Sequence, residues 1–252
     1  MYDIIGGMSN YEDFISTVSH ELRTPLTSIR GFSQTMLNSW DKLDDESKKK
    51  FLKIIEEQSN RLIGLVENML SITKLQSADL ILKEVSVRPV VETIVSLIPR
   101  RFLIEISENT SKILADKDKF QQILMNLVEN AAKYSDEDSD ITIKAENRGD
   151  FVAIRVTNKG IGIDEADYER IFGKFSRVDN PLTRKVEGSG LGLFITKNLV
   201  EKMGGRISVE SKNPPPKSEI STPPQGRGNV VTFEVLMPVS NIEHQARAKC
   251  SQ

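Results

Sequence analysis

The sequence predicts a protein in two parts, a helical hairpin followed by an α/β sandwich. Two observations carry this. Over residues 9–76 there are only two glycines, Gly31 and Gly64, and one proline, Pro25, and apolar side chains recur at helical spacing. From about residue 80 to 239 the pattern changes to short β-branched and aromatic runs mixed with helical stretches. A length of 252 residues accommodates one or two domains. The expected division is a helical hairpin over 1–78, an α/β domain over 79–240 and a polar, disordered tail over 241–252.

Ser9-Asn10-Tyr11-Glu12 reads as a capping box that opens the first helix, and Asn38-Ser39-Trp40-Asp41 closes it. A second helix is expected over 44–75. Its residues Phe51, Ile55, Gln58, Leu62, Leu65, Met69 and Ile72 alternate steps of four and three, apolar except for Gln58, which is an a/d seam. Phe14, Val18, Leu22, Pro25, Ile29, Phe32 and Met36 follow similar steps on the first helix. Flanking apolar residues such as Ile15, Leu26, Leu37, Ile54, Val66 and Leu70 exceed what one hairpin can cover, so a homodimer forming a four-helix bundle is expected. Farther on, strands are expected over 81–87, 102–107, 113–115, 141–146, 152–158, 206–211 and 230–237. Helices are expected over 89–98, 117–134 and 191–203, with a short turn over 165–171. Strands and helices do not alternate strictly, which favours one mixed sheet covered by helices on one face. Residues 213–229, rich in Pro, Ser and Gly, read as a long mobile loop between the last two strands.

Composition excludes several classes. The net charge of -2 gives no basic footprint for nucleic acid. No run of about 18 apolar residues is available to span a membrane, so no direct membrane contact is expected, and no secretory pattern opens the sequence. Cys250 is the one cysteine, and His20 and His244 the two histidines, which rules out disulfide scaffolds and zinc clusters.

His20 lies two residues from both Val18 and Leu22. At about 100° per residue it points away from that seam, toward solvent. A lone surface histidine is ordinarily just that. Here, however, Pro25 falls inside the same helix, where its ring meets the carbonyl of Glu21 and removes a backbone bond at a cost of roughly 3 kcal/mol. Local violations of this kind gather at functional sites. Glu21 adjoins the histidine and is placed to accept an imidazole proton. The run Phe14-Ile15-Ser16-Thr17-Val18-Ser19-His20-Glu21-Leu22-Arg23-Thr24-Pro25-Leu26-Thr27 closely resembles the phospho-acceptor motif of sensor histidine kinases of two-component systems.

Four further motifs follow in the order that this family shows. Residues 122–135 resemble its asparagine box. Asn126, Asn130 and Lys133 share one helix face and Tyr134 follows, while Leu124, Leu127, Val128 and Ala131 form the opposite face. Amide oxygens suit a hard cation and lysine suits phosphate, so the row fits a Mg²⁺–triphosphate. An ordinary solvated face is the competing reading. Asn158-Lys159-Gly160-Ile161-Gly162-Ile163 resembles the first glycine box, with Gly160 and Gly162 read as letting the backbone approach adenine. Phe172 to Arg177 resembles the phenylalanine box, including Phe175, and Arg177 stands where a basic residue often faces the phosphates. Gly188-Ser189-Gly190-Leu191-Gly192-Leu193 opens a helix whose first amides suit phosphate. The polar stretch between Phe175 and Gly188, with Thr183, Arg184 and Lys185, reads as a mobile lid.

The resemblance covers about residues 11–239. It implies the ATP-binding fold shared with gyrase B and heat-shock chaperones, with ATP and Mg²⁺ as ligands and Asn130, then Asn126, on the metal. It implies His20 as phospho-acceptor, Glu21 as base and Thr24 as positioner of water in a reverse phosphatase reaction. It also implies a response regulator receiver domain as partner. Because the family carries sensing regions ahead of this motif, the resemblance implies a cytoplasmic catalytic part of a longer protein. One position departs from the family, which has aspartate where this sequence has Asn158. The side-chain oxygen still accepts a bond from adenine, but loss of the charge costs about 1–3 kcal/mol, or roughly ten- to a hundredfold in affinity. The alternative reading is therefore a form with a weakened ATP site that acts mainly as a regulator-binding module or phosphatase. A coiled-coil adaptor leaves the four later motifs unexplained, and another ATPase of the superfamily leaves the His20 motif unexplained.

Overall fold

The structure, a computed structural model, describes residues 3–77, 80–174, 176, 190–212 and 229–240; the side chains of 3–17, 20, 68 and 71–77 fall outside the description. The chain divides into two compact units, Met1–Lys74 and Leu75–Gln252.

The first unit is a pair of long helices, α1 (Asp3–Ser39) and α2 (Asp45–Ser77), joined by a 3-10 turn over Trp40–Lys42. Helix α1 has already begun before Ser9, so the capping box over 9–12 is not a helix start. Serine and asparagine cost only about half a kcal/mol or so each inside a helix, and the box favours an end without forcing one. Pro25 lies within α1 and is buried. Asp44 starts α2 by accepting a 2.6 Å bond from the Ser47 amide, and this bond holds its carboxyl below the ordinary carboxylate range. The Phe32 and Phe51 rings meet at 5.1 Å with planes 45° apart, linking α1 to α2. Of the two seams, Met36, Leu65 and Pro25 are buried, whereas Leu22, Ile29, Phe32, Phe51, Ile55 and Leu62 are only half-buried. Leu26, Leu37, Val66 and Leu70 are exposed, Leu37 to 82%.

The second unit contains, in chain order, β1 (Lys83–Val85), α3 (Val87–Val95), β2 (Phe102–Ile106), β3 (Ile113–Ala115), α4 (Lys117–Tyr134), β4 (Ile141–Arg148) and β5 (Phe151–Gly160). Two 3-10 turns, Glu165–Asp167 and Arg170–Phe172, precede α5 (Gly192–Lys202), β6 (Arg206–Lys212) and β7 (Asn229–Pro238). Five strands form one mixed sheet in the order β2-β4-β5-β7-β6, with β2 parallel to β4 and the remaining pairs antiparallel. The expectation of a single sheet is corrected in one respect, since β1 and β3 form a separate antiparallel pair. The first strand is also shorter than 81–87. Val87 already belongs to α3, and Pro89 sits in that helix's first turn, where a missing N–H costs nothing. The expected loop over 213–229 falls outside the described residues except for Asn229, which opens β7, and the tail over 241–252 lies wholly outside them.

Alternation explains which face is covered. Ile141, Ile143 and Ala145 of β4 and Val231, Phe233, Val235 and Met237 of β7 are buried at every second position. Helix α4 packs on β5 and β4 and against α5, burying Phe120, Ile123, Leu124, Leu127, Val128 and Ala131. Asp116 caps α4 by accepting from the Lys119 amide at 3.2 Å. The other face of the sheet is an ion ladder. Arg155 bonds Glu146 at 2.6 Å and Glu234 at 2.7 Å, and Arg148 bonds Glu234 at 2.9 Å. Hydrogen bonds from Arg155 and then Lys144 hold the Glu146 carboxyl below its ordinary range. A depressed carboxylate contributes stability above its unfolded pKa of about 4.3 and loses it as the pH falls through the folded value. Arg155→Met should therefore flatten the fall in thermal stability below about pH 4.3, as measured by melting curves across pH; an unchanged acid limb would remove Glu146 from that dependence.

Candidate functional site

The C-terminal half of α4 and the end of β5 meet at the site. Gly160 closes β5 directly against the end of α4: a Cβ there would lie 2.0 Å from the Tyr134 carbonyl oxygen and 2.7 Å from Ser135 Cα. The backbone takes advantage of the approach. Ile161 N–H donates to the Tyr134 carbonyl at 3.1 Å, and Asp136 N–H donates to the Lys159 carbonyl at 3.0 Å. Gly160 is thus required by a helix–strand crossing, a reason for its small size that the sequence reading, which assigned it to adenine, did not contain.

Behind this crossing lies a cleft enclosing about 710 Å³ of space between atoms, part of it open to solvent. Asn130 and Tyr134 enter it from α4, Asn158 from β5, and Gly162 from the segment that follows. Its apolar walls include Ile161, Ile171, Leu193, Val231 and Phe233. None of these five was singled out as a ligand contact from sequence; Ile161 and Leu193 entered only as members of the two glycine runs. Their arrangement suits a flat heterocycle, for which close apolar walls and a few polar groups are the usual environment. Ser176 also lines the cleft. It stands between Phe175 and Arg177 in the phenylalanine box, and only its position there pointed to it.

Two polar atoms of the cleft lack partners. Asn158 is 3% exposed and its Nδ2 makes no hydrogen bond, and the Ser176 hydroxyl is likewise buried without a partner. Orphaned groups of this kind cost about 1–3 kcal/mol each, and a ligand with matching acceptors removes the cost. The donor set therefore fits a nucleotide base. The segment after Gly162 is held from outside, since Ile163 N–H donates to Ser211 Oγ at 3.1 Å. The Tyr168 hydroxyl accepts from the Ser211 amide at 2.6 Å.

The remaining sequence candidates separate into groups. Asn126 lies on the expected α4 face but is turned to α5, donating weakly from Nδ2 to the Gly192 carbonyl at 3.4 Å and to Thr196 Oγ1 at 3.3 Å. It joins the two helices and does not line the cleft. Lys133 is exposed in the last turn of α4, with Nζ 5.8 Å from the Tyr134 ring. Beside Asn130, the Glu129 carboxyl is pushed above its ordinary value by partial desolvation, against the opposing charge of Lys133. Gly190 adopts a left-handed φ of 65° ahead of α5. Leu191 precedes α5 with its side chain fully in the core, which leaves only its backbone for contacts outside it. Phe175, Arg177, Gly188 and the lid expected between Phe175 and Gly188 lie outside the described residues. Among the described residues no group of His, Cys, Asp or Glu forms a metal cluster. A hard cation fits through the Asn130 amide oxygen together with nucleotide phosphates, a mode that suits Mg²⁺.

On the helical unit, His20 belongs to α1, with its side chain outside the description. Glu21 lies 3.7 Å from Arg61 of α2, with both side chains about four-fifths buried. Thr24 is exposed on α1. A shallow groove along α1 is lined by Ser19, Leu22, Arg23, Leu26, Thr27 and Arg30.

Comparison with known proteins agrees with both units. The His Kinase A (phospho-acceptor) domain matches residues 11–78, and the histidine kinase-, DNA gyrase B- and HSP90-like ATPase matches residues 115–239. The signal transduction histidine-protein kinase ArlS of Staphylococcus haemolyticus is 33% identical over 220 residues, covering 84% of this chain and 48% of that protein. The sensor histidine kinase WalK of Bacillus subtilis is 32% identical over 234 residues, covering 88% of this chain and 36% of that protein. Histidine kinase ThkA, solved in complex with response regulator protein TrrA, superposes with a TM-score of 0.68 at 25% identity, covering 93% of this chain and 64% of that one. Full-length ShkA, solved in complex with AMPPNP, gives 0.61 at 26% identity, covering 90% and 46%. The chain belongs to the sensor histidine kinases of two-component systems. It spans less than half the length of ArlS and of WalK.

The crossing at Gly160 is directly testable. Gly160→Ala should push β5 away from α4, lowering the stability of the second unit by about 1–3 kcal/mol or more and weakening nucleotide binding with it. Calorimetric melting would check this, and an unchanged melting temperature would show that the crossing is not tight.

Proposed function

We propose that this chain is the catalytic core of a sensor kinase. It binds Mg²⁺-ATP in the cleft of its second unit, phosphorylates His20 and passes the phosphoryl group to an aspartate of a response regulator receiver domain. One observation carries the reading: Asn130, Tyr134, Asn158 and Gly162, drawn from two separate nucleotide-box motifs, line one apolar-walled cleft that contains unpaired polar atoms. The family membership of both units and the titles of the ShkA and ThkA structures, which name AMPPNP and a response regulator, support it.

In this reading the Nε2 lone pair of His20 attacks the γ-phosphorus in line. A nitrogen–phosphorus bond forms, the bond to the β–γ bridging oxygen breaks, and ADP leaves. Glu21 takes or orients the proton on the other ring nitrogen, and Arg61 across the hairpin restrains the Glu21 carboxylate. Asn130 would hold Mg²⁺ through its amide oxygen, with Asn126 the weaker candidate because its amide is turned to α5 and does not line the cleft. Bound Mg²⁺ neutralises charge that develops on the phosphates. Lys133 and Arg177 add positive charge, Asn158 holds the base, and the backbone from Gly188 to Gly192, with Gly190 and Leu191 between them, offers amides to phosphate. Thr24, one turn from His20, positions water for dephosphorylation of the regulator.

Incubation with γ-labelled ATP should give acid-labile, base-stable label on this chain and none on His20→Gln, which should retain nucleotide affinity. Label on the His20→Gln chain would overturn the acceptor assignment. Label on Asn158→Asp alone would favour the second reading, a weakened ATP site in a chain that acts mainly as a regulator-binding module or phosphatase. Asn158 is the observation behind that reading.

The exposed stripe of Leu26, Leu37, Val66 and Leu70 supports a homodimer through the hairpin, closing a four-helix bundle. Val66→Glu combined with Leu70→Glu should convert the full chain to a monomer in sedimentation equilibrium, whereas a monomeric parent chain would contradict the bundle.

A further inference from the structure

We infer that Asn158 makes the nucleotide cleft accept purine nucleoside triphosphates bearing either a 6-amino or a 6-oxo group. The inference rests on the cleft being the nucleotide site proposed above, and it concerns what this chain reads on the base. Asn158 is 3% exposed, lines the cleft and leaves Nδ2 without a partner. Among the described residues Ser176 Oγ is the other orphaned polar atom lining the cleft, where Asn130 and Tyr134 add polar groups to otherwise apolar walls. In such surroundings the base edge is selected by which donors and acceptors it pairs, because a buried polar group left unpaired is costly.

A carboxamide carries one donor group and one acceptor on adjacent atoms. The Watson–Crick edge of a purine carries a complementary pair at the C6 substituent and N1. Adenine offers a donor at N6 and an acceptor at N1, so Oδ1 accepts from N6 and Nδ2 donates to N1. Hypoxanthine and guanine reverse the pair, with an acceptor at O6 and a donor at N1. Rotation of the Asn158 amide by about 180° about its terminal torsion, which is broad and roughly two-fold, presents the reverse pair. Both bases are then met by two hydrogen bonds, and the orphaned Nδ2 is satisfied in each case. A carboxylate at this position has acceptors only. It pairs with a 6-amino group, but it sets negative charge against O6 in an apolar cleft, which is strongly unfavourable. The amide therefore removes the element that would reject a 6-oxopurine. Hypoxanthine is the cleaner probe because it differs from adenine at this edge alone, whereas guanine adds an amino group at C2.

The test is the dissociation constant of Mg²⁺-ATP and Mg²⁺-ITP, measured by isothermal titration calorimetry on the full chain and on Asn158→Asp. The parent chain should bind the two nucleotides within about threefold of each other, and the aspartate variant should favour ATP by roughly tenfold or more. A parent chain that itself prefers ATP by more than about tenfold would overturn the inference, as would an equal ratio in both chains. Asn158→Ala, which introduces no buried charge, should bind both nucleotides more weakly than the parent by the same factor; a change in their ratio would also overturn the inference. If the parent binds neither nucleotide but Asn158→Asp binds ATP, the inference fails while the nucleotide site stands. Failure of all three chains to bind either nucleotide would overturn the site assignment itself.

Discussion

The close crossing of β5 over the end of α4 sets the geometry of the second unit. With no Cβ at Gly160, the strand passes directly beside the carbonyl of Tyr134. The helix that carries Asn130 and Tyr134 is thereby registered against the strand that carries Asn158. The same helix end is gripped from a third direction by Arg100, which donates to the Ala132 carbonyl at 3.2 Å, Ser135 Oγ at 2.8 Å and the Asp136 carbonyl at 2.6 Å. A planar guanidinium with several donors suits this task, because it ties off carbonyls that a helix end leaves without intrahelical partners. The cleft is therefore a by-product of how one helix end is fastened to one strand.

Polar groups divide sharply between the two faces of the sheet. On the outer face, Arg155, Glu146, Glu234 and Arg148 pair with one another in partly exposed positions, where ion pairs add little and water compensates any defect. On the helix-covered side, Asn158 and Ser176 are buried without partners. Among the described residues Arg100 Nε and Thr110 Oγ1 carry the same cost elsewhere in this unit, but within the strands of the sheet only Asn158 does so. Within the sheet, that asymmetry sets the polar group lining the cleft apart from those that pair with one another.

The helical unit has the reverse character. Its backbone is two uninterrupted helices apart from the turn, yet most of its seam is only half-covered and Leu37 is almost entirely exposed. The aromatic contact of Phe32 with Phe51 and the burial of Met36 and Leu65 join the hairpin at a few points. Long helices with an unfinished apolar stripe gain most of their remaining stability from association, since apolar burial and not helix propensity dominates.

Much of this was legible from local pattern. Seam spacing marked both helices of the hairpin, alternation marked the strands, and α4 runs over 117–134 as expected from the sequence. Asn130, Tyr134, Asn158 and Gly162 were picked out as nucleotide candidates because each sits in a motif read along a few consecutive residues. Other features escaped because they depend on residues far apart in sequence. The pairing of β1 with β3 in its own sheet, the diversion of Asn126 to Thr196 and the role of Gly160 against Tyr134 each involve partners that no local window contains. Ile171, Val231 and Phe233 carry no local sign of a ligand role and became cleft walls only when the chain closed around them. The sequence by itself determined the class of protein and the residue types available for chemistry, because periodicity and motif spacing are local. Tertiary structure alone decided which polar atoms are left unpaired, because burial and hydrogen bonding exist only once distant segments meet.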